Sequence, residues 1–159
     1  MKVTATAFLL IILSTSTRAQ ACGNLCNMEW LSNASQVEVN EAISGANVHA
    51  RGEDGDTALM WLARLGTFED VVALLSAGAD VNARTVDGTT VLMASASRYN
   101  TDKPLKAILK AGANIHARNE RGWTALMQAS ASGSPDMLGV LLNAGAKINS
   151  RDASGWTAL

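Results

Sequence analysis

The side chains best suited to chemistry are Cys22 and Cys26, His49 and His116, and Met60, Met93 and Met127. Thiolates, imidazoles and thioethers can carry disulfides, bind metals or act as bases. The methionines close three copies of one ten-residue phrase, at 51–60, 84–93 and 118–127, so stacking would hold them a layer apart, as it would the two histidines. Packed helix layers are spaced by about 8–10 Å, whereas metal bonds are about 2 Å long. No metal site is expected, and the methionines read as adaptable filler between layers. The many serines have no histidine base in their own unit, and no carboxylate pair recurs at a fixed spacing. Neither GxxxxGK[ST] nor GxGxxG occurs. The chain is therefore read as non-enzymatic, with no catalytic residue and no cofactor.

Cys22 and Cys26 follow a segment with its own meaning. Lys2 leads into an apolar run over 5–13, and Ala19-Gln-Ala21 forms a small-x-small pattern. That is a secretory leader over 1–21, since the run is well short of the ~20 residues that span a bilayer. No membrane span is expected, and the chain is expected in the periplasm or secreted. An oxidising compartment favours a Cys22–Cys26 disulfide, because an i, i+4 pair on a helix lies within the ~4.4–6.8 Å Cα range of a bridge. Lipidation of Cys22, giving a lipid-anchored protein, is the alternative. A thioredoxin-like centre needs two intervening residues and here there are three. Cleavage removes two of the 13 basic residues, Lys2 and Arg18, and none of the 14 acidic ones, leaving a small negative charge. No nucleic-acid partner is expected, since a duplex binder needs a basic face.

The elements behind the phrase follow from its period. Arg51, Arg84, Arg118 and Arg151 mark it at intervals of 33, 34 and 33 residues, which is a stacked helical repeat. Thr57, Thr90, Thr124 and Thr157 are placed to cap a short first helix, running from Ala58 to about Leu65 in the first copy. Small residues at Ala63, Ala96 and Ser130 let neighbours approach. A second helix carries Val71, Leu74 and Leu75, then Leu105, Ile108 and Leu109, then Leu138, Leu141 and Leu142, each an i, i+3, i+4 stripe. Ser134-Pro135-Asp136 reads as a helix start. Gly78, Gly112 and Gly145 stop each second helix. An inward β-branched residue (Val81, Ile115, Ile148) follows, and a finger closed by Gly55, Gly88, Gly122 or Gly155 leads to the next copy.

With TALM, TVLM, TALM and TAL at the helix starts and LLSAGADVNA, ILKAGANIHA and LLNAGAKINS at the ends, residues 51–159 resemble ankyrin repeats of an exported bacterial kind. The resemblance implies an all-α ankyrin-repeat solenoid of helix-turn-helix units with projecting β-hairpin fingers. The expected division is a signal peptide over 1–21, a degenerate N-terminal capping repeat over 22–50, repeats over 51–83, 84–117 and 118–150, and the start of a further, truncated repeat over 151–159. Within the cap, a helix is expected around Met28–Leu31 and a capping box at Ser35–Glu38. Three family positions differ. Ala58, Val91, Ala125 and Ala158 stand where Pro is usual, and Met60, Met93 and Met127 where His is usual. The hairpin Asp survives only as Asp152, with Gly52, Thr85 and Asn119 in its place.

Function then falls to the surface, where positions vary inside an otherwise repeated phrase. Trp61, Arg64, Arg98, Trp123, Gln128 and Trp156 are the expected partner-binding residues, on the concave first-helix and finger side that the resemblance implies. Exposed Trp and Arg are what hot spots use, although Trp123 and Trp156 could equally brace adjacent fingers. The marker arginines are expected to pair with Glu53, Asp54, Asp87 and Glu120. At the position of His49 and His116, a hydrogen bond to the finger backbone is the expected role. The expected function is a protein–protein interaction scaffold. The alternative is a regulatory or targeting region of a larger enzyme whose catalytic part lies beyond residue 159.

Overall fold

The structure, a computed structural model, describes residues 25, 33, 35–45, 47–97 and 101–159. The leader, Cys22, Cys26, the helix expected around Met28–Leu31 and Arg98 lie outside the described residues. Among the described residues seven helices run in order: α1 (Gln36–Gly45), α2 (Ala58–Leu65), α3 (Phe68–Ser76), α4 (Val91–Ala96), α5 (Lys103–Lys110), α6 (Ala125–Ala131) and α7 (Pro135–Asn143). The first helices α2, α4 and α6 stack in a row. Behind them α1 packs on α3 and α3 on α5, while α7 packs on α6. This is an all-α repeat solenoid.

Each first helix starts the same way. Thr57, Thr90 and Thr124 take extended backbone and accept from the N–H groups of Met60, Met93 and Met127 at 3.3–3.4 Å. All three threonines are buried, so the cap is also a packing contact. The Thr157 hydroxyl donates to Leu159 O at 2.6 Å. Second helices start more variously. α1 has the expected capping box, with Ser35 N–H donating to Glu38 Oε2 at 2.8 Å and Glu38 N–H to Ser35 Oγ at 3.4 Å. α3 has another that the sequence reading missed, in which Thr67 and Asp70 exchange bonds of 2.7 and 3.2 Å, with Asp70 only 2% exposed. Ser134 sits at the N-cap of α7 but makes no capping bond, and Pro135 removes one N–H that would need it.

The stops form a matched set. Gly78, Gly112 and Gly145 donate to Leu75, Leu109 and Leu142, and the alanine after each donates to Leu74, Ile108 and Leu141. This paired closure satisfies carbonyls that the helix end leaves open. The stripe residues Val71, Leu74, Leu105, Ile108 and Leu141 are fully buried, each contributing on the order of 2 kcal/mol. They belong to one continuous core that reaches from Leu25 to Ala158. Leu138 is only half-buried, Leu142 is exposed, and Met137, which the stripe did not include, is buried instead. Val81 and Ile115 pack against the core as expected, whereas Ile148 is exposed.

One buried polar group breaks the pattern. Ser95 is 0% exposed and its hydroxyl has no hydrogen-bond partner, while the equivalent positions hold Leu62 and Ala129. A buried hydroxyl without a partner costs roughly 1–3 kcal/mol. Ser95→Ala is expected to raise stability by about 1 kcal/mol, read as a higher denaturant midpoint with an unchanged slope.

Candidate functional site

The fingers are built from main-chain bonds. In each, the residue after the marker arginine both donates to a carbonyl four residues on and accepts from the glycine N–H: Gly52 with Asp56 and Gly55, Thr85 with Thr89 and Gly88, Asn119 with Trp123 and Gly122, Asp152 with Trp156 and Gly155. Extended pairing is minimal. Single antiparallel bridges join Arg51 to Thr57 and Arg84 to Thr90, and no strand forms among the described residues. The β-hairpins implied by the resemblance are therefore tight turns closed by at most one bridge.

Neighbouring fingers are joined by a repeated bond: Val86 N–H to Asp54 O at 2.8 Å, Glu120 N–H to Asp87 O and Ala153 N–H to Arg121 O, both at 2.9 Å. The marker arginines cross the same seam. Arg51 Nη1 donates to Gly55 O at 3.2 Å and to Arg84 O at 2.7 Å; Arg84 Nη1 donates to Gly88 O at 3.1 Å and to Arg118 O at 3.0 Å. Arg118 donates to Arg151 O, and Arg151 to Gly155 O at 2.8 Å. Beside the expected carboxylates, the marker arginines thus form a ladder on carbonyls. The guanidinium suits this, because its several fixed N–H groups can serve two acceptors at once.

Three chemistries hold the turns where one Asp was expected. Asp152 Oδ1 accepts from Ser154 and Trp156 N–H, and Asn119 Oδ1 accepts from Arg121 and Trp123 N–H in the same way. At Thr85 the job passes to Asp87, which accepts from the Thr85 hydroxyl, from Thr89 N–H at 3.1 Å and from the Thr89 hydroxyl at 3.0 Å. Gly52 has no side chain, and a Cβ there would meet Asp56 Oδ1 at 2.6 Å. Asp56 instead accepts from the Trp61 indole N–H, which ties the first finger to α2.

The expected contact residues divide by exposure. Trp156 is 74% exposed at a finger and Arg64 is exposed in the last turn of α2. Trp61, Trp123 and Gln128 are half-buried, and Trp123 packs against the core. Trp123 is thus a brace as well as surface. At the histidine position the finger-backbone bond expected there belongs to Asn82 and points elsewhere. Its amide donates to Gly112 O at 3.2 Å and accepts from Asn114 N–H at 2.8 Å, clamping the loop of the next unit. His49 and His116 are exposed, and their own N–H groups donate to Asn47 and Asn114 Oδ1. Among the described residues no group of three or more His, Cys, Asp or Glu could hold a metal, and no helix is long and apolar enough to cross a membrane.

Two substitutions probe the seam. A Cβ on Gly122 would lie 2.8 Å from Ala153 N, whereas one on Gly155 meets nothing within 4 Å, and both residues have positive φ, 76° and 86°. Gly155→Ala is expected to cost about 1 kcal/mol for the left-handed backbone alone, and Gly122→Ala about 1 kcal/mol more, in matched denaturant melts. Asp87 gives a pH test. The Thr85 hydroxyl first, then Thr89 and the charge of Arg121 on the next finger, hold its carboxyl below the usual aspartate range despite partial burial. The stabilisation is fully present above the ordinary value of about 3.9 and is lost as pH falls through the lower native value. Denaturant midpoints measured across acid pH are expected to fall less steeply for Asp87→Asn than for the native chain.

A family model described as Ankyrin repeats (3 copies) matches residues 19–118 and 59–152. A comparison with curated proteins finds no match. Ankyrin repeats generally serve as protein–protein interaction modules and are typically non-catalytic. The match takes in most of the sequence, and the capped helix pairs, paired glycine stops and seamed fingers recur through the same stretch: the chain belongs to the ankyrin-repeat family.

Proposed function

We propose that the protein is a non-enzymatic scaffold that binds another protein along its first-helix and finger side. The carrying observation is the division of labour among side chains: the repeated residues are capped, buried or bonded across the seam, while Trp156 and Arg64, which differ between copies, stand exposed. Fingers tied to one another by main-chain bonds hold those side chains at fixed spacing. Such preorganisation reduces the ordering cost of association. The leader over 1–21 supports export, to the periplasm or outside the cell of a bacterium, with the cap over 22–50 and the repeats from 51 onward as the mature protein. Cys22 and Cys26 are assigned to a disulfide in that compartment.

The test uses residues whose loss leaves the fold alone. Trp61 and Trp123 are half-buried, Trp61 bonded to Asp56 and Trp123 packed against the core, so the variant is Arg64→Ala with Trp156→Ala. Proteins captured from the exported fraction by the native chain are expected to bind this variant at least tenfold more weakly, with thermal unfolding unchanged. If every captured protein binds both equally, the first-helix and finger side is not the contact surface.

A further inference from the structure

The outer, second-helix side carries a feature the repeat does not require. An open groove of about 830 Å³ runs between α3 and α5. Its apolar wall comes from Phe68, Val72 and Leu75 on α3, with Phe68 38% and Val72 37% exposed. On the α5 side the small Ala107 and Ala111 leave the floor open. Lys103, Lys106 and Lys110, all exposed, line the α5 rim at i, i+3 and i+7, a row spanning roughly 10 Å at the rise of a helix.

Neither part is dictated by the solenoid. The positions equivalent to the three lysines are Glu69, Val72 and Ser76 in α3 and Asp136, Gly139 and Asn143 in α7. α5 alone carries the basic row. Lys106 is engaged with Asp102 by an i, i+4 ion pair, but an exposed pair of that kind contributes only ~0–1 kcal/mol and yields readily to a better partner. Glu69 is the acid on the opposite wall, so the groove has a basic edge and an apolar bed.

We propose that this groove docks an acidic amphipathic helix of a partner protein. A helix laid along the groove places an apolar stripe on Phe68, Val72 and Leu75 and sets carboxylates at i, i+3 and i+7 against the lysine row, which is helix-in-groove recognition. The lysine stems extend the apolar bed while their ammonium groups stay at the rim. Local complementarity is what selects the occupant, since the chain as a whole carries a net charge of −1. An extended anionic bilayer would face that overall charge and could not reach a recessed bed, whereas a shaped helix meets only the basic edge.

The probe is a labelled helical peptide of about three turns with Glu at i, i+3 and i+7 beside a leucine stripe, followed by fluorescence anisotropy. Saturable binding is expected, weakened about tenfold by Lys103→Gln with Lys110→Gln and weakened similarly by Ala111→Trp, which fills the groove from an exposed position. Raised salt is expected to weaken native binding more than binding to the lysine variant. Arg64→Ala with Trp156→Ala leaves the affinity unchanged, which separates this groove from the first-helix side. Absence of saturable binding, equal binding of a peptide with Lys in place of Glu, or preference for anionic phospholipid vesicles over the peptide would each overturn the assignment.

Discussion

Every finger depends on a neighbour to satisfy its backbone. A projecting turn of seven residues cannot pair its own N–H and C=O groups fully, and groups left unpaired carry the cost of lost hydration. Here the remedy is lateral. Asp54, Asp87 and Arg121 give their carbonyls to the next finger, and Arg51, Arg84 and Arg118 reach across to the carbonyl of the arginine one unit on. The helices follow the same logic in apolar terms, because α2, α4 and α6 bury faces against one another as well as against the second helix of their own unit.

That dependence sorts the sequence into two vocabularies. Thr at the first-helix cap, Gly at the second-helix stop, and Leu or Ile on the stripe recur because the geometry at each is set by bonds that repeat. Val72, Lys106 and Gly139 occupy one position in three helices and share no chemistry. Residues of the second kind are where a partner can be read.

The helices were legible because their signals are local. Period and threonine cap placed Ala58–Leu65 at its observed limits, and the Ser35–Glu38 capping box is visible as two letters three apart. The Thr67–Asp70 box carries the same signal but with Asp, whose shorter side chain falls outside the Ser/Thr-x-x-Glu/Gln pattern. The carbonyl ladder of the arginines was not legible for a different reason. Glu53, Asp54, Asp87 and Glu120 lie close in sequence, and charge suggests charge, whereas carbonyl acceptors have no letter of their own. Likewise the position before the stripe, held by Asp70, Pro104 and Met137, is buried in all three units, but only in α7 does it hold a plainly apolar letter, so the pattern did not include it.

The seam also bears on how such a chain can lengthen. Its donors and acceptors are peptide groups and one invariantly placed arginine, so every copy presents the same lower and upper edge. A duplicated unit inserted by recombination would find partners already in register on both sides. Only its variable surface would be new, and that surface could diverge without any change to the joint.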